Sequence, residues 1–311
     1  MLNQIYNLYY ALPNFDFLGK FGKGVNRALG IFGKKVLDRK VPAKFMSYVQ
    51  KEVGVNKGYR NESYVVSLTS FPARIDDVWI GVECLLRQTF KPDKIVLWLA
   101  SNQFPDKIIP ESLKRLEPRG LEIRFCEEDL RAHKKYYYSL KEFPDANIIT
   151  VDDDLYYDHK LLENLYLMHK KHPKNIITNR AHKMKFDAKD RIKPYRKWDH
   201  NVSSKDASHV LVATGGGGTL YPPNSLHSEV LNKEVFKKIC FLADDLWLKC
   251  MALKQGTKVV TNSRYNKDPL SIRKSQMEKL VSENVLSGGN DQQLKDVCAH
   301  YNIDLATYIE R

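Results

Sequence analysis

No apolar run in the 311-residue sequence approaches the roughly 20 residues that span a bilayer, which excludes an ordinary helical membrane protein. Cysteine is scarce. Cys84, Cys126, Cys240, Cys250 and Cys298 are odd in number, scattered, and form no Cys-x-x-Cys pair. That argues against a disulfide framework or zinc knuckle and for a reducing compartment. Thirteen Pro and 16 Gly are too few for a fibrous or low-complexity chain. Asn14 and Asp16 interrupt the first apolar stretch and no small-residue cleavage site follows, so no secretory signal is expected. The expected location is the cytoplasm.

Acidic residues are also missing from one place. Residues 1–60 hold 11 Lys/Arg against Asp16, Asp38 and Glu52, and so carry most of the +13 net charge. Leu18, Phe21, Val25, Leu29, Phe32 and Val36 recur there at helical spacing, with Lys20, Lys23, Arg27, Lys34 and Lys35 between them. The pattern reads either as an interfacial helix on an anionic membrane surface or as an arm packed on protein. On the first reading the protein sits peripherally on the inner face of the plasma membrane. Two regions are expected: a basic amphipathic arm over 1–60 and one domain over 61–311.

From residue 64 the pattern becomes strand–helix alternation. Tyr64–Leu68, Lys94–Leu99, Leu121–Phe125 and Asn147–Val151 read as strands, with helices over 76–88, 111–116, 134–143 and 158–172. This predicts an α/β fold, a mostly parallel Rossmann-like sheet flanked by helices, with ligands at the carboxyl ends of the strands. The polar, basic stretch 181–210 reads as a loop or excursion over that end. Helices are expected near 228–239, 244–254 and 291–301, and a strand at 258–261.

The candidate chemistry sits at strand ends. Asp152-Asp153-Asp154 follows an apolar strand, and three carboxylates there need a compensating cation. Oxygen ligands at Asp152 and Asp154 suit Mg²⁺ or Mn²⁺; the plainer alternative is a helix-capping turn. Thr69 and Arg74 follow the first strand, where a nucleotide binds in such sheets, although an ordinary turn has the same composition. Lys134 and Lys135 precede Tyr136-Tyr137-Tyr138 as a helix start, and Lys135 joins the candidate nucleotide contacts. Asp244-Asp245 is either a dipole-favoured helix start or a general base. Gly215–Gly218 lets backbone approach a ligand, without the Gly-Lys-Ser/Thr of a phosphate loop. His182, His200, His227 and His300 each read as packing or surface residues.

Three segments in order, VVSLTSFPARI, IITVDDD and FLADDLWLKCMALKQG, resemble a metal-dependent glycosyltransferase of the GT-A fold, in particular the bacterial enzymes that build capsular and lipopolysaccharide sugars. The resemblance covers about residues 62–300. It implies that Thr69 and Arg74 hold the nucleotide of an activated sugar, with a UDP-sugar favoured. It puts Asp152 and Asp153 on ribose and diphosphate, Asp154 on Mn²⁺ or Mg²⁺, and Gly216 and Gly217 along the acceptor. Asp245, beside Asp244, would be the base of an inverting enzyme acting on a glycan or lipid-linked acceptor. No Gln-x-x-Arg-Trp follows Asp245, which implies transfer of one sugar rather than polymerisation.

Two rival readings remain open. A sugar-phosphate nucleotidyltransferase would need a Gly-rich loop directly after the first strand, where Thr69–Arg74 stand instead. A non-enzymatic polyanion binder would spread basic and aromatic residues over the whole domain, whereas here the excess is N-terminal and no nucleic-acid partner is expected.

Overall fold

The computed structural model describes residues 2–12, 15–47, 52–204, 206–261, 267–272 and 288–310. Strands β1 (Tyr64–Thr69), β2 (Lys94–Ala100), β3 (Leu121–Cys126) and β4 (Asn147–Thr150) are parallel neighbours. With β5 (Ile176–Thr178), β9 (Thr219–Tyr221) and β10 (Val259–Thr261) they form a seven-stranded sheet ordered β10-β5-β9-β4-β1-β2-β3. Only β9 runs antiparallel, between β4 and β5. The four expected strands are therefore present in the expected orientation; β1, β2 and β4 are continuous apolar runs, while β3, at the edge, alternates with Glu122 and Arg124.

Alternation along the strands sorts the core into two sides. Val66, Leu68, Leu97 and Ile149 face one side, with helices α3 (Val78–Leu86) and α6 (Leu161–Lys171) packed on it. Val65, Val96, Trp98 and Ile148 face the other, beneath α5 (Lys134–Glu142). That side continues under α7 (Lys233–Ile239), α8 (Asp244–Gln255) and α9 (Gly289–Tyr301), with Phe236, Trp247 and Val297 at its centre. A short helix, α4 (Glu111–Lys114), completes the β2–β3 crossover.

The stretch 181–210 is not a plain loop. It contributes β6 (Ala181–Lys183) and β7 (Asp199–Val202), which join β8 (Leu211–Ala213) in a small antiparallel sheet ordered β7-β6-β8. Strands this short and polar carry too little alternation to be seen in sequence.

The basic N-terminal stretch forms α1 (Leu2–Ala11) and α2 (Gly19–Ser47). One face of this pair is part of the main core: Tyr6, Tyr9, Leu37, Val41 and Phe45 are buried with the α3 and α6 residues. The apolar row seen in sequence divides accordingly. Leu29 packs against the core, Val25 and Val36 are half-buried, and Leu18, Phe21 and Phe32 point outward. Polar ties add to the packing, with the Tyr6 hydroxyl donating to the Tyr156 carbonyl and Tyr9 donating to that of Asp268 at 3.0 Å. No helix among the described residues is long and apolar enough to cross a membrane.

Candidate functional site

After β1 the chain moves out through β2 and β3, then returns to place β4 on the other side of β1. The carboxyl ends of β1 and β4 thus flank the point where strand order reverses, the crevice in which open α/β sheets bind ligands. Val151 extends the β4 pairing through its N–H to the Ser67 carbonyl, 3.1 Å, and the acidic triplet begins immediately beyond. The Tyr157 hydroxyl fixes the first of the three. It accepts from Asp152 N–H at 2.7 Å and donates to the Asp152 carbonyl at 2.9 Å.

The carboxylates diverge from there. Asp153 and Asp154 turn towards the loop after β1, where the Arg74 guanidinium meets Asp153 at 2.8 Å and Asp154 at 3.1 Å. Ser70 also donates to Asp153 at 2.5 Å. Asp152 turns the other way, to Lys135 Nζ at 2.7 Å. Lys135 opens α5 and reaches Asp244 as well, at 3.1 Å. Asp244 and Asp245 occupy the first turn of α8, where the helix dipole favours negative charge. Asp245 Oδ1 accepts from Gly215 N–H at 2.9 Å. Four segments distant in sequence therefore converge: the β1 loop, the triplet, the start of α5 and the start of α8.

Glycine is required in the turn between β8 and β9 because other groups crowd it. A Cβ on Gly216 would lie 3.1 Å from Asp152 Oδ2, one on Gly215 would lie 2.8 Å from Lys135 Nζ, and one on Gly217 would strike Arg180 at 2.4 Å. At Gly217 the crowding is by the Arg180 Cβ and backbone, which leaves no room for a side chain; at Gly215 and Gly216 the ends of Lys135 and Asp152 would have to shift.

Five carboxylates and the two cations paired with them make the cluster strongly negative, and burial resolves part of that charge by protonation. Burial, reinforced by Asp153 and Asp152, pushes Asp154 up to about 7. Burial and Asp244 push Asp245 up to about 7. Burial would raise Asp244 too, yet Lys135 and His133 hold it below the usual carboxylate range. Burial alone would lower Lys135, but Asp152, Asp244 and Asp245 keep it well above its ordinary value.

Among the described residues no three Asp, Glu, His or Cys side chains gather into a metal cage. The donor set still fits Mg²⁺ or Mn²⁺ held in the manner typical of those ions, by one or two carboxylates plus waters and substrate phosphates. Asp152 and Asp154 face apart, towards Lys135 and Arg74, so either one alone would give such an ion a hard carboxylate oxygen. An ion on Asp154 would share that carboxylate with Arg74.

The structure brings Arg74, Lys135, Asp152, Asp153, Asp154, Asp244, Asp245, Gly216 and Gly217 into one region. Thr69 differs: its hydroxyl donates to the Trp98 carbonyl at 2.8 Å and is engaged in the β1–β2 edge. Lys134 pairs with Asp129 instead of joining the cluster. The four histidines singled out in sequence stay outside. His182 is buried against His200 and Tyr195, His227 Nδ1 accepts from Glu229 N–H, and His300 stacks edge-on to Tyr301.

Sequence reasoning missed Ser70, Tyr157, Arg180 and Tyr195. Arg180 crosses behind the glycine turn, donating to Asn201 at 2.7 Å and Thr214 at 3.0 Å and pairing with Asp268. Tyr195 approaches the Asp245 side, since burial and then the Asp245 carboxylate push its phenol upward. Neither carries a local signal, because both arrive through the small antiparallel sheet. Compared with known proteins, the chain matches no family model and no curated protein.

Proposed function

We propose that this chain is a metal-dependent glycosyltransferase of the GT-A type. It would transfer one sugar from a nucleotide diphosphate, with a UDP-sugar favoured, to a glycan or lipid-linked acceptor in surface polysaccharide synthesis. The observation that carries the reading is the meeting of the strand-end triplet with Lys135 and the Asp244–Asp245 pair at the β1–β4 crevice. A strongly acidic pocket at a phosphate-binding position makes chemical sense when a divalent cation accompanies the diphosphate.

In this mechanism the diphosphate lies along the triplet, and Arg74 and Lys135 orient the carboxylates that receive it. Asp154, or Asp152 on the Lys135 side, would hold Mg²⁺ or Mn²⁺, which would supply charge neutralisation for the leaving diphosphate. The acceptor hydroxyl lies on the Gly216–Gly217 side, against Asp245. Asp245 takes the hydroxyl proton as the oxygen attacks the anomeric carbon. The bond from that carbon to the diphosphate oxygen breaks, and the configuration inverts. Gly215 N–H orients Asp245 for this step, and the buried setting keeps its basicity high.

The test is a thermal-shift screen against UDP, GDP, CMP and TDP, each with and without Mn²⁺, followed by a transfer assay with the stabilising nucleotide's sugars. One nucleotide should raise the melting temperature in a Mn²⁺-dependent way. Asp154→Ala should remove the Mn²⁺-dependent part. Asp245→Asn should keep the shift while lowering transfer roughly 10²–10⁴-fold. Absence of any nucleotide shift, or full transfer by the Asp245 variant, would overturn the reading.

A further inference from the structure

The outer side of α2 lies away from the crevice and has a chemistry of its own. Its inner side buries Leu37, Val41 and Phe45, whereas Phe21 and Phe32 are 73% and 70% exposed, and Phe17, just before the helix, is 76% exposed. Ile31, beside Phe32, is exposed as well. At 100° per residue positions 21, 28, 31 and 32 of the helix fall on one stripe. Single exposed apolar residues are ordinary, but several large ones in one row mark an interaction surface.

The charge around the stripe selects the partner. Lys20, Lys23 and Arg27 are exposed to one side of it, and Lys35 and Arg39, also exposed, continue its line. Asp38 is the one acid in α2, and it is engaged by Lys34 at 2.6 Å and by the Tyr156 hydroxyl at 2.9 Å. Along α2, among the described residues, the outer side therefore presents cations and apolar side chains with Asp38 as its one, already engaged, carboxylate.

We propose that this face docks the protein on an anionic lipid surface. Phe17, Phe21, Ile31 and Phe32 enter the boundary between headgroups and acyl chains, and the flanking Lys and Arg meet the lipid phosphates. A second copy of the chain would bring the same cations face to face, which like-charge repulsion opposes. A nucleic acid would satisfy the cations but offers no apolar environment for Ile31. The 29-residue helix, about 44 Å long, lies along the surface and does not enter it end-on. The docking is independent of the transfer chemistry.

Co-sedimentation of the full chain with vesicles tests it. The protein should pellet with phosphatidylcholine vesicles containing phosphatidylglycerol, not with phosphatidylcholine alone, and binding should weaken as salt rises. Phe21→Ser with Phe32→Ser, and separately Lys20→Glu with Arg27→Glu, should each reduce partitioning about ten-fold or more. Both double variants change exposed side chains and should keep the wild-type melting temperature, which separates lost docking from lost folding. Equal binding by wild type and variants, or no pelleting with anionic vesicles, would overturn the proposal. So would tighter binding to a single-stranded oligonucleotide than to vesicles, or a dimer in sedimentation equilibrium that the Phe variants dissolve. No step of the assay uses a nucleotide, so its failure is distinguishable from failure of the transferase reading.

Discussion

Lys135 and Lys249 are 4% and 3% exposed, one at the start of α5 and the other in the middle of α8. Lys135 sits among Asp152, Asp244 and Asp245 and is held well above its ordinary pKa. Lys249 Nζ finds no hydrogen-bond partner among the described residues, and burial pushes it down to about 7. The two sites have similar enclosure and opposite electrostatics. Burial alone thus says little about a charged residue; what surrounds it decides whether the charge organises a site or merely burdens the fold.

The sharpest way to break the comparison is Lys135→Met. It strands Asp152 and Asp244 without their cation, and removing one member of a buried ion pair costs about 3–5 kcal/mol. Denaturant unfolding should show that loss, and transfer activity should disappear with it. The same substitution at Lys249 should act in the opposite direction. Lys249→Met removes an unpartnered buried ammonium and should raise stability by about 1–3 kcal/mol at neutral pH.

The pH dependence sharpens the contrast. Lys249 has a folded pKa near 7 against 10.5 when unfolded, so between those values the unfolded chain binds more protons. The wild type should gain stability from this residue as pH rises from about 7 towards 10, and the cost should be fully present below 7. Unfolding curves at pH 6 and 9 should converge for Lys249→Met relative to wild type. A wild-type difference retained in the variant would mean that another group governs it. The smallest effect is expected at the crevice edge. Gly216→Ala puts a methyl 3.1 Å from Asp152 Oδ2, which should cost about 1 kcal/mol and lower transfer a few-fold.

The parallel half of the sheet was legible because β1, β2 and β4 are apolar runs and β3 alternates Leu121, Ile123 and Phe125 with charge, all separated by helix-length segments. Strands β5 and β9 span three residues each, too short for periodicity to register, and β6 and β7 are polar. At the site, the triplet and the α8 acid pair were visible as local clusters. Their joining by Lys135 was not, because that lysine looks like any solvated helix start until the fold buries it. Arg74 shows the same limit: its place after β1 suggested a ligand contact, but its partners in the structure are Asp153 and Asp154. For α2, helical spacing located the amphipathic segment but merged two faces into one row: Phe21 and Phe32 point outward, Leu29 packs on the core, and the inward row continues through Leu37, Val41 and Phe45.

The attachment of α1 and α2 changes what kind of part they are. The Tyr156 carbonyl takes the Tyr6 hydroxyl, and the Tyr156 hydroxyl donates to Asp38, so one residue two positions beyond Asp154 is gripped by both helices. Tyr6 and Tyr10 also line a small cavity with Tyr157, Arg180, Gly216 and Gly217. On its inner side the pair therefore works as a bracket on the crevice wall. A single cut in the chain between Ser47 and Glu52 would leave two fragments still clasped through these contacts, and part of any load on α2 would pass through Tyr156 to the backbone that carries the acidic triplet.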